Sequence, residues 1–315
     1  LPDIGCSAQE AAVSVLIPTL NGENTIAELM AMLAAQTADI QEILIIDSGS
    51  QDNTVELVKR YGATVFHIEP ENFNHGGSRN FIAQKAQNDI VVFLTQDTIP
   101  RDSDSVEKLI HPLLIDSTIV TTYGRQLPAF DADHFAASLR KFNYPSTGVV
   151  RGITDTHEYG LRTVFTSNSF ACYRRSFLEK VGYFPNDVIF GEDTVAVGRL
   201  LQQGEKIAYV AEAVVYHSHN YSPVEEFKRY FDIGVLHSTE QWLLDLFGSA
   251  AGQGKKYLYH EVTELIARKK YHLLPEMVCR IALKFCGYKL GRNYKKMPRS
   301  IVSRCSMHRA WWKWV

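Results

Sequence analysis

Nowhere in the 315 residues is there a run approaching the ~18–20 apolar residues that a helix needs to cross a bilayer. The chain also lacks a basic-then-apolar opening of the kind that marks a secretory signal. Cysteine is scarce. Cys6, Cys172, Cys279, Cys286 and Cys305 are odd in number and without zinc-ligand spacing, so a reducing, cytoplasmic setting is expected. Two phosphate-binding signatures are missing. Without G-x-G-x-x-G or G-x-x-x-x-G-K-[ST], dinucleotide-dependent and P-loop chemistry have little support. No recognised DNA- or RNA-binding motif occurs, so nucleic acid is not an expected partner.

What is present is ordinary in bulk and uneven in distribution. A hydrophobic fraction of 45% and a charged fraction of 22% suit a folded domain with a full core. The net charge of −2 conceals an asymmetry: residues 255–315 carry 15 Lys+Arg against 3 Asp+Glu, while the first 254 carry 18 against 32. An acidic body with a basic tail predicts a polyanionic surface near the C-terminus.

The organising stretch is Ile90-Val91-Val92-Phe93-Leu94-Thr95-Gln96-Asp97. Five apolar residues rich in β-branched types predict a strand buried on both faces, with Asp97 just past its carboxyl end. Val13 to Pro18 and Glu42 to Asp47 read as earlier strands, and Ala63 to Ile68 as another. Ile26, Leu29, Met30 and Leu33 fall at i, i+3, i+4 and i+7, the spacing of an amphipathic helix. The order β-α-β-α-β-x-α-β implies a parallel sheet with right-handed crossovers. Ligands bind outside the carboxyl ends of such strands, where Asp47, Asp97 and the Thr19–Gly22 turn collect. Thr163 to Ala171 alternates as a further strand, and Asn168 is a candidate to face a ligand.

Together these segments resemble family 2 glycosyltransferases of the GT-A fold. The resemblance rests on a strand ending in Pro18-Thr19-Leu20-Asn21, then Asp47-Ser48-Gly49-Ser50-Gln51-Asp52-Asn53-Thr54, then Asp97, then Gly191-Glu192-Asp193. It covers roughly residues 13–220. Phe73-Asn74-His75-Gly76-Gly77-Ser78-Arg79-Asn80 and Thr95-Gln96-Asp97 resemble, more narrowly, the rhamnosyltransferase branch, which uses dTDP-L-rhamnose. The resemblance implies an inverting transferase with an α/β, Rossmann-like, mostly parallel central sheet flanked by helices. It implies Asp193 as the base that deprotonates the acceptor, with Glu192 beside it. Pro18, Thr19, Asn21, Asp47, Gly76, Gly77, Arg79, Asn80, Gln96 and Asp97 are the implied nucleotide-sugar contacts. Arg79 suits a clamp on diphosphate or a sugar hydroxyl. Asp52 reads as a helix cap. Relatives often carry two acids where only Asp97 stands here, so a divalent cation, Mg²⁺ or Mn²⁺, needs another ligand. His217 and His219 end a short strand two residues apart and point to one face; His217 is the expected ligand, with His219 the alternative. Another nucleotide sugar such as UDP-galactofuranose, or a non-catalytic glycan-binding scaffold, are the competing expectations.

The expected organisation is a lead-in over 1–12, a transferase domain over 13–222 and a basic helical extension over 223–315. Within that extension, Tyr221 to Leu246 reads as a helix broken near Gly234. Leu274, Met277, Val278, Ile281, Ala282 and Phe285 form an apolar stripe near Arg280, Lys284 and Lys289. Together with Trp311, Trp312 and Trp314, this pattern predicts a tail lying in an anionic headgroup layer. The enzyme would then be cytoplasmic and peripheral on the inner face of the cell membrane. Its acceptor would be a glycan or lipid-linked saccharide.

Overall fold

The apolar runs of the N-terminal half form the strands expected of them in the computed structural model, which describes residues 11–249 and 251–313. The first ten residues of the expected lead-in, and Trp314, lie outside the described residues. Strands β1 (Val13–Thr19), β2 (Ile40–Asp47), β3 (Thr64–His67) and β4 (Ile90–Leu94) lie in the spatial order β3-β2-β1-β4 and pair in parallel. Helices α1 (Glu23–Ala34), α2 (Thr54–Arg60) and α3 (His75–Lys85) make the crossovers. Alternate residues of each strand point to opposite faces, and two cores result. Val15, Ile17, Val92 and Leu94 meet Ile26, Leu29, Met30 and Leu33 of α1 on one face. Leu16, Val91 and Phe93 meet Tyr173, Phe184 and Leu200 on the other.

Beyond β4 the sheet is mixed. The chain continues through β5 (Ile99–Pro100), α4 (Ser105–Ile115), β6 (Ile119–Leu127), α5 (His134–Asn143), β7 (Val149–Arg151) and α6 (Thr156–Tyr159). It closes with β8 (Phe170–Arg174), α7 (Arg175–Lys180), α8 (Glu192–Gln202) and β9 (Lys206–Tyr216). Strand β8 inserts antiparallel between β4 and β6, whereas β6 and β9 pair in parallel. The mostly parallel sheet expected is thus parallel across β1–β4 and in the β6–β9 pair. The strand expected from Thr163 begins only at Phe170. Residues Gly160–Val164 form a 3-10 turn, and Thr163, Thr166 and Asn168 are buried polar groups. Alternation there comes from polar side chains turned inward, not from a period-two backbone.

The remaining helices are α9 (Pro223–Thr239), α10 (Gln241–Phe247), α11 (Ala251–Ala267), α12 (Leu274–Arg292) and α13 (Arg299–Cys305). Ser222 caps α9 and Glu225 reaches back to the Ser222 amide, a reciprocal capping pair. The break expected at Gly234 is absent, because α9 runs through it to Thr239. Gly234 instead admits another backbone: a Cβ there would stand 2.4 Å from the Tyr288 carbonyl, and one on Gly291 would stand 2.0 Å from that of Phe231. Helices α9 and α12 thus touch main chain to main chain.

The tail does not stand apart from the body. Phe231, Leu236, Val302 and Trp312 belong to the same core as Phe93 and Tyr173. Trp312 is buried against Phe231 and Tyr294, and Trp311 packs beside it, so neither matches the interfacial anchor expected of them. Arg280 and Lys284 also turn inward, both pairing with buried Glu226 at 3.2 and 3.0 Å. Part of the tail's positive charge is therefore internal.

Candidate active site

The carboxyl ends of β1 and β4 open into a cavity of about 370 Å³. Of the residues singled out from the sequence, Pro18, Thr19, Arg79, Gln96, Asp97, His217 and His219 line it; Asn21, Asp47, Gly76, Gly77, Asn80, Glu192 and Asp193 do not. The second group holds the walls. Buried Asp47 spends both oxygens inside its own loop, accepting from Thr19 Oγ1 at 2.9 Å, Ser50 N at 2.9 Å and Gly49 N at 3.1 Å. Asn21, at φ +48°, accepts from Gln51 N at 2.8 Å and ties the same two loops. Asp52 accepts from Thr54 N at 3.0 Å, but it stands one residue before Asn53, which occupies the cap position of α2. Gln96 exchanges two 2.9 Å hydrogen bonds with the Leu20 backbone, fixing the β4 end to the β1 end.

The glycine-bearing segment is placed differently from expectation. Asn74 caps α3 by accepting from Gly77 N at 2.8 Å. A Cβ on Gly76 would lie 1.9 Å from the Pro185 carbonyl, so this glycine admits neighbouring backbone rather than a ligand. Asn80 exchanges hydrogen bonds with the Phe184 backbone at 2.8 and 3.0 Å. Arg79 faces the cavity, but its Nη1 already pairs with buried Glu192 at 3.0 Å and donates to the His75 carbonyl at 3.0 Å. Its Nε is buried without a partner.

On one side of the cavity stands a three-residue cluster. His217 Nε2 and His219 Nε2 lie 3.5 and 3.7 Å from Asp97 Oδ2. The potential ligand atoms all fall within 4.8 Å of one another, so both histidines meet Asp97. Gln126 Oε1 accepts from Arg140 at 2.6 Å and lies 3.0 Å from His217 Nδ1. As that oxygen can only accept, Nδ1 carries a proton; in the neutral ring the Nε2 lone pair faces Asp97, and in the protonated ring Nε2 donates to it. Burial, against the pull of Asp97, lowers the His217 pKa; burial and the neighbouring His217 lower that of His219 to about 4. Burial works to raise the Asp97 pKa, but hydrogen bonding and charge from His217, with Thr95 and His219, hold it well below the usual range. One carboxylate and two neutral imidazoles at this spacing fit a divalent cation.

Behind the opposite wall lie Glu192 and Asp193, in the first turn of α8. Ser169 lines the cavity, and the adjacent Asn168 donates from its amide to Asp193 Oδ2 at 3.2 Å and from Nδ2 to Glu192 Oε1 at 3.3 Å. Asn168 therefore positions the acids. Burial and the adjacent Glu192 push the Asp193 pKa up to about 6, while Arg79 and His75 keep Glu192 low despite its burial. The two neighbours thus hold protons differently, a common mark of an acid–base site.

Some participants carry no local sequence signal. Gln126, on β6, orients His217 from 91 residues away. His308, in the tail, reaches the cavity-lining His75 at 3.4 Å and stacks on Phe190. Only the tertiary fold brings either one here.

Residues 14–182 match the family described as Glycosyl transferase family 2. The chain belongs to that family. This glycosyltransferase is 39% identical to the O-antigen chain rhamnosyltransferase RfbN of Salmonella typhimurium, over 95% of this chain and 96% of that protein. It is 39% identical to the O-antigen chain rhamnosyltransferase WbaN of Salmonella anatum, with 95% of each covered. Among solved structures it resembles the mannosyltransferase PcManGT from Pyrobaculum calidifontis in complex with GDP-Man and Mn²⁺. That match has a TM-score of 0.58 at 17% identity, covering 95% of this chain and 87% of that one. The enzyme is thus a rhamnosyltransferase-like member of family 2, built on the GT-A fold. No helix among its described residues is long and apolar enough to cross a membrane.

Proposed function

We propose that the enzyme transfers L-rhamnose from dTDP-L-rhamnose, with inversion, to a saccharide acceptor of a surface polysaccharide. The observation that carries this reading is the contrast between two carboxylates. Asp97 is held ionised beside two neutral histidines, whereas Asp193, behind the cavity wall, is raised to about 6. Inverting transfer by single displacement requires one base near neutrality on the acceptor side. Asp193 is that base, taking the acceptor hydroxyl proton on the oxygen that faces away from Thr194 N. Arg79 fixes Glu192, and Glu192 keeps Asn168 and Asp193 in register. Asp97, His217 and His219 would hold a divalent cation, which when bound supplies positive charge to the departing diphosphate. The donor assignment is supported by the two Salmonella relatives, and the cation by the Mn²⁺ in the mannosyltransferase complex.

A membrane location is supported by one face of α12. Val278 and Phe285 are 61% and 62% exposed and lie on one side of the helix with Ala282 and Lys289, ahead of exposed Lys295, Lys296 and Arg299. This face sets apolar groups beside unpaired cations, as an anionic headgroup layer requires. A panel of nucleotide sugars incubated with the protein and a saccharide acceptor, with product configuration read by NMR, tests the catalytic reading. Turnover of dTDP-L-rhamnose to a product of inverted configuration is expected. Preference for UDP-galactofuranose, or retained configuration, overturns it.

A further inference from the structure

Two guanidinium groups near the crevice lack a carboxylate partner among the described residues. Arg140, on α5, donates to Gln126 Oε1 at 2.6 Å and lies 5.8 Å over the Tyr144 ring. Arg229, exposed on α9, is held between the rings of Phe190 and Tyr221, 5.8 and 5.6 Å from their centroids. Arg79 and Arg280, by contrast, are paired, the first with Glu192 and the second with Glu226 and Glu276. Tyr221, which holds Arg229, lies 5.4 Å from His219, and His219 lies 4.8 Å from His217, so both cations border the same histidine pair and each stands in the other's field. Their place is specific. The glutamine that holds Arg140 also holds His217, and it donates at 3.0 Å to Ser167, whose neighbour Asn168 donates to Asp193. Through Gln126, Arg140 is thus linked both to the Asp97–His217–His219 cluster and to the segment that binds Asp193.

Like charges held in one another's field disfavour the folded state unless an anion joins them. A guanidinium, planar and always charged, matches a phosphate through paired hydrogen bonds. We propose that Arg140 and Arg229 form a second anion site, on the acceptor side of the crevice, that takes a phosphate group carried by a substrate. The term acceptor side rests on the reading of Asp193 as base. The phosphate has two available sources, an acceptor that bears a phosphate ester or the diphosphate of the donor.

Inorganic pyrophosphate titrated calorimetrically into the full-length protein in excess EDTA tests the site without a cation at Asp97. Wild type should bind. Arg229→Gln should weaken binding at least about tenfold, the scale of one lost charge-assisted pair, and Arg229→Lys should fall between. Arg140→Gln should act in the same direction, but because Arg140 is half-buried the exposed Arg229 decides. Asp97→Asn should retain binding. No pyrophosphate binding by wild type in chelator, or unaltered binding by Arg229→Gln, overturns the proposal. Steady-state kinetics identify the source. A raised KM for acceptor with donor KM unchanged assigns the phosphate to the acceptor, and a raised donor KM assigns it to the donor diphosphate. If neither moves in Arg229→Gln, the site plays no part in transfer and the proposal fails. Failure of the catalytic reading is separate, because it shows as absence of turnover while the titration, which needs none, is unaffected.

Discussion

Asp193 carries two consequences of its raised pKa. As the proposed base it must be ionised, so kcat should fall as pH drops through about 6, and kcat–pH profiles in the presence of saturating donor check this. Asp193→Asn keeps the shape but cannot take a proton, so kcat should drop by roughly 10²–10⁴ while donor affinity stays within a few-fold. The stability effect has the opposite sense. A folded pKa above the unfolded one contributes stability at low pH that is lost as pH rises through about 6. Above that pH the half-buried carboxylate is a cost, and Asp193→Asn should be more stable than wild type at pH 8 by on the order of 1–3 kcal/mol. Thermal melts at pH 8 and pH 4 should show that gap closing. Asp97→Ala should abolish transfer without unfolding the protein, and EDTA should do the same to wild type until Mn²⁺ or Mg²⁺ is returned. Full activity in chelator would remove the cation from the mechanism.

Among the elements, the α9–α12 contact is the sharpest test of packing. Gly291→Ala places a methyl where the Phe231 carbonyl already stands, so the helices must separate. Overpacking of this kind costs about 1–3 kcal/mol, measurable as a lowered urea midpoint with unchanged slope. Gly204→Ala, where a Cβ meets nothing, provides the contrast only for space, since its φ of +87° brings its own strain. The same contact explains what was legible in the sequence. The strands β1, β2 and β4 and the helix α1 announce themselves because each repeats a local period, and Asp97, Asp193 and the histidine pair stand at predictable ends of such elements. Gly234 was read as a break because its partner, Gly291, is 57 residues away in the sequence and leaves no local trace. Gly76 and Asp47 were read as ligand contacts for a similar reason. A glycine or an acid at a strand end serves a ligand or a neighbouring loop equally well, and only the Pro185 carbonyl or the Ser50 amide decides which.

At the scale of the whole molecule, the tail shares its core with the body. Removing it would uncover part of the core it shares with Phe93 and Tyr173, so truncation cannot test the membrane face. Point changes can. Val278→Ser with Phe285→Ser should leave transfer to a soluble acceptor intact and weaken co-sedimentation with acidic-lipid vesicles at low salt. Each engaged basic residue contributes about 1 kcal/mol near an anionic bilayer, so high salt should release the wild type as well. Wild type that ignores such vesicles would make α12 a purely structural helix.

His308 and Asp232 add a temporal consequence. Asp232 accepts from the Met307 amide at 2.9 Å and seats the segment that brings His308 to His75. Ribosomes make chains from the N-terminus, so Asp97, Glu192 and Asp193 emerge well before the residue that buttresses their wall. A nascent chain holding every acid of the site still lacks that support, and catalysis has to wait until residues 306–312 have emerged and folded back.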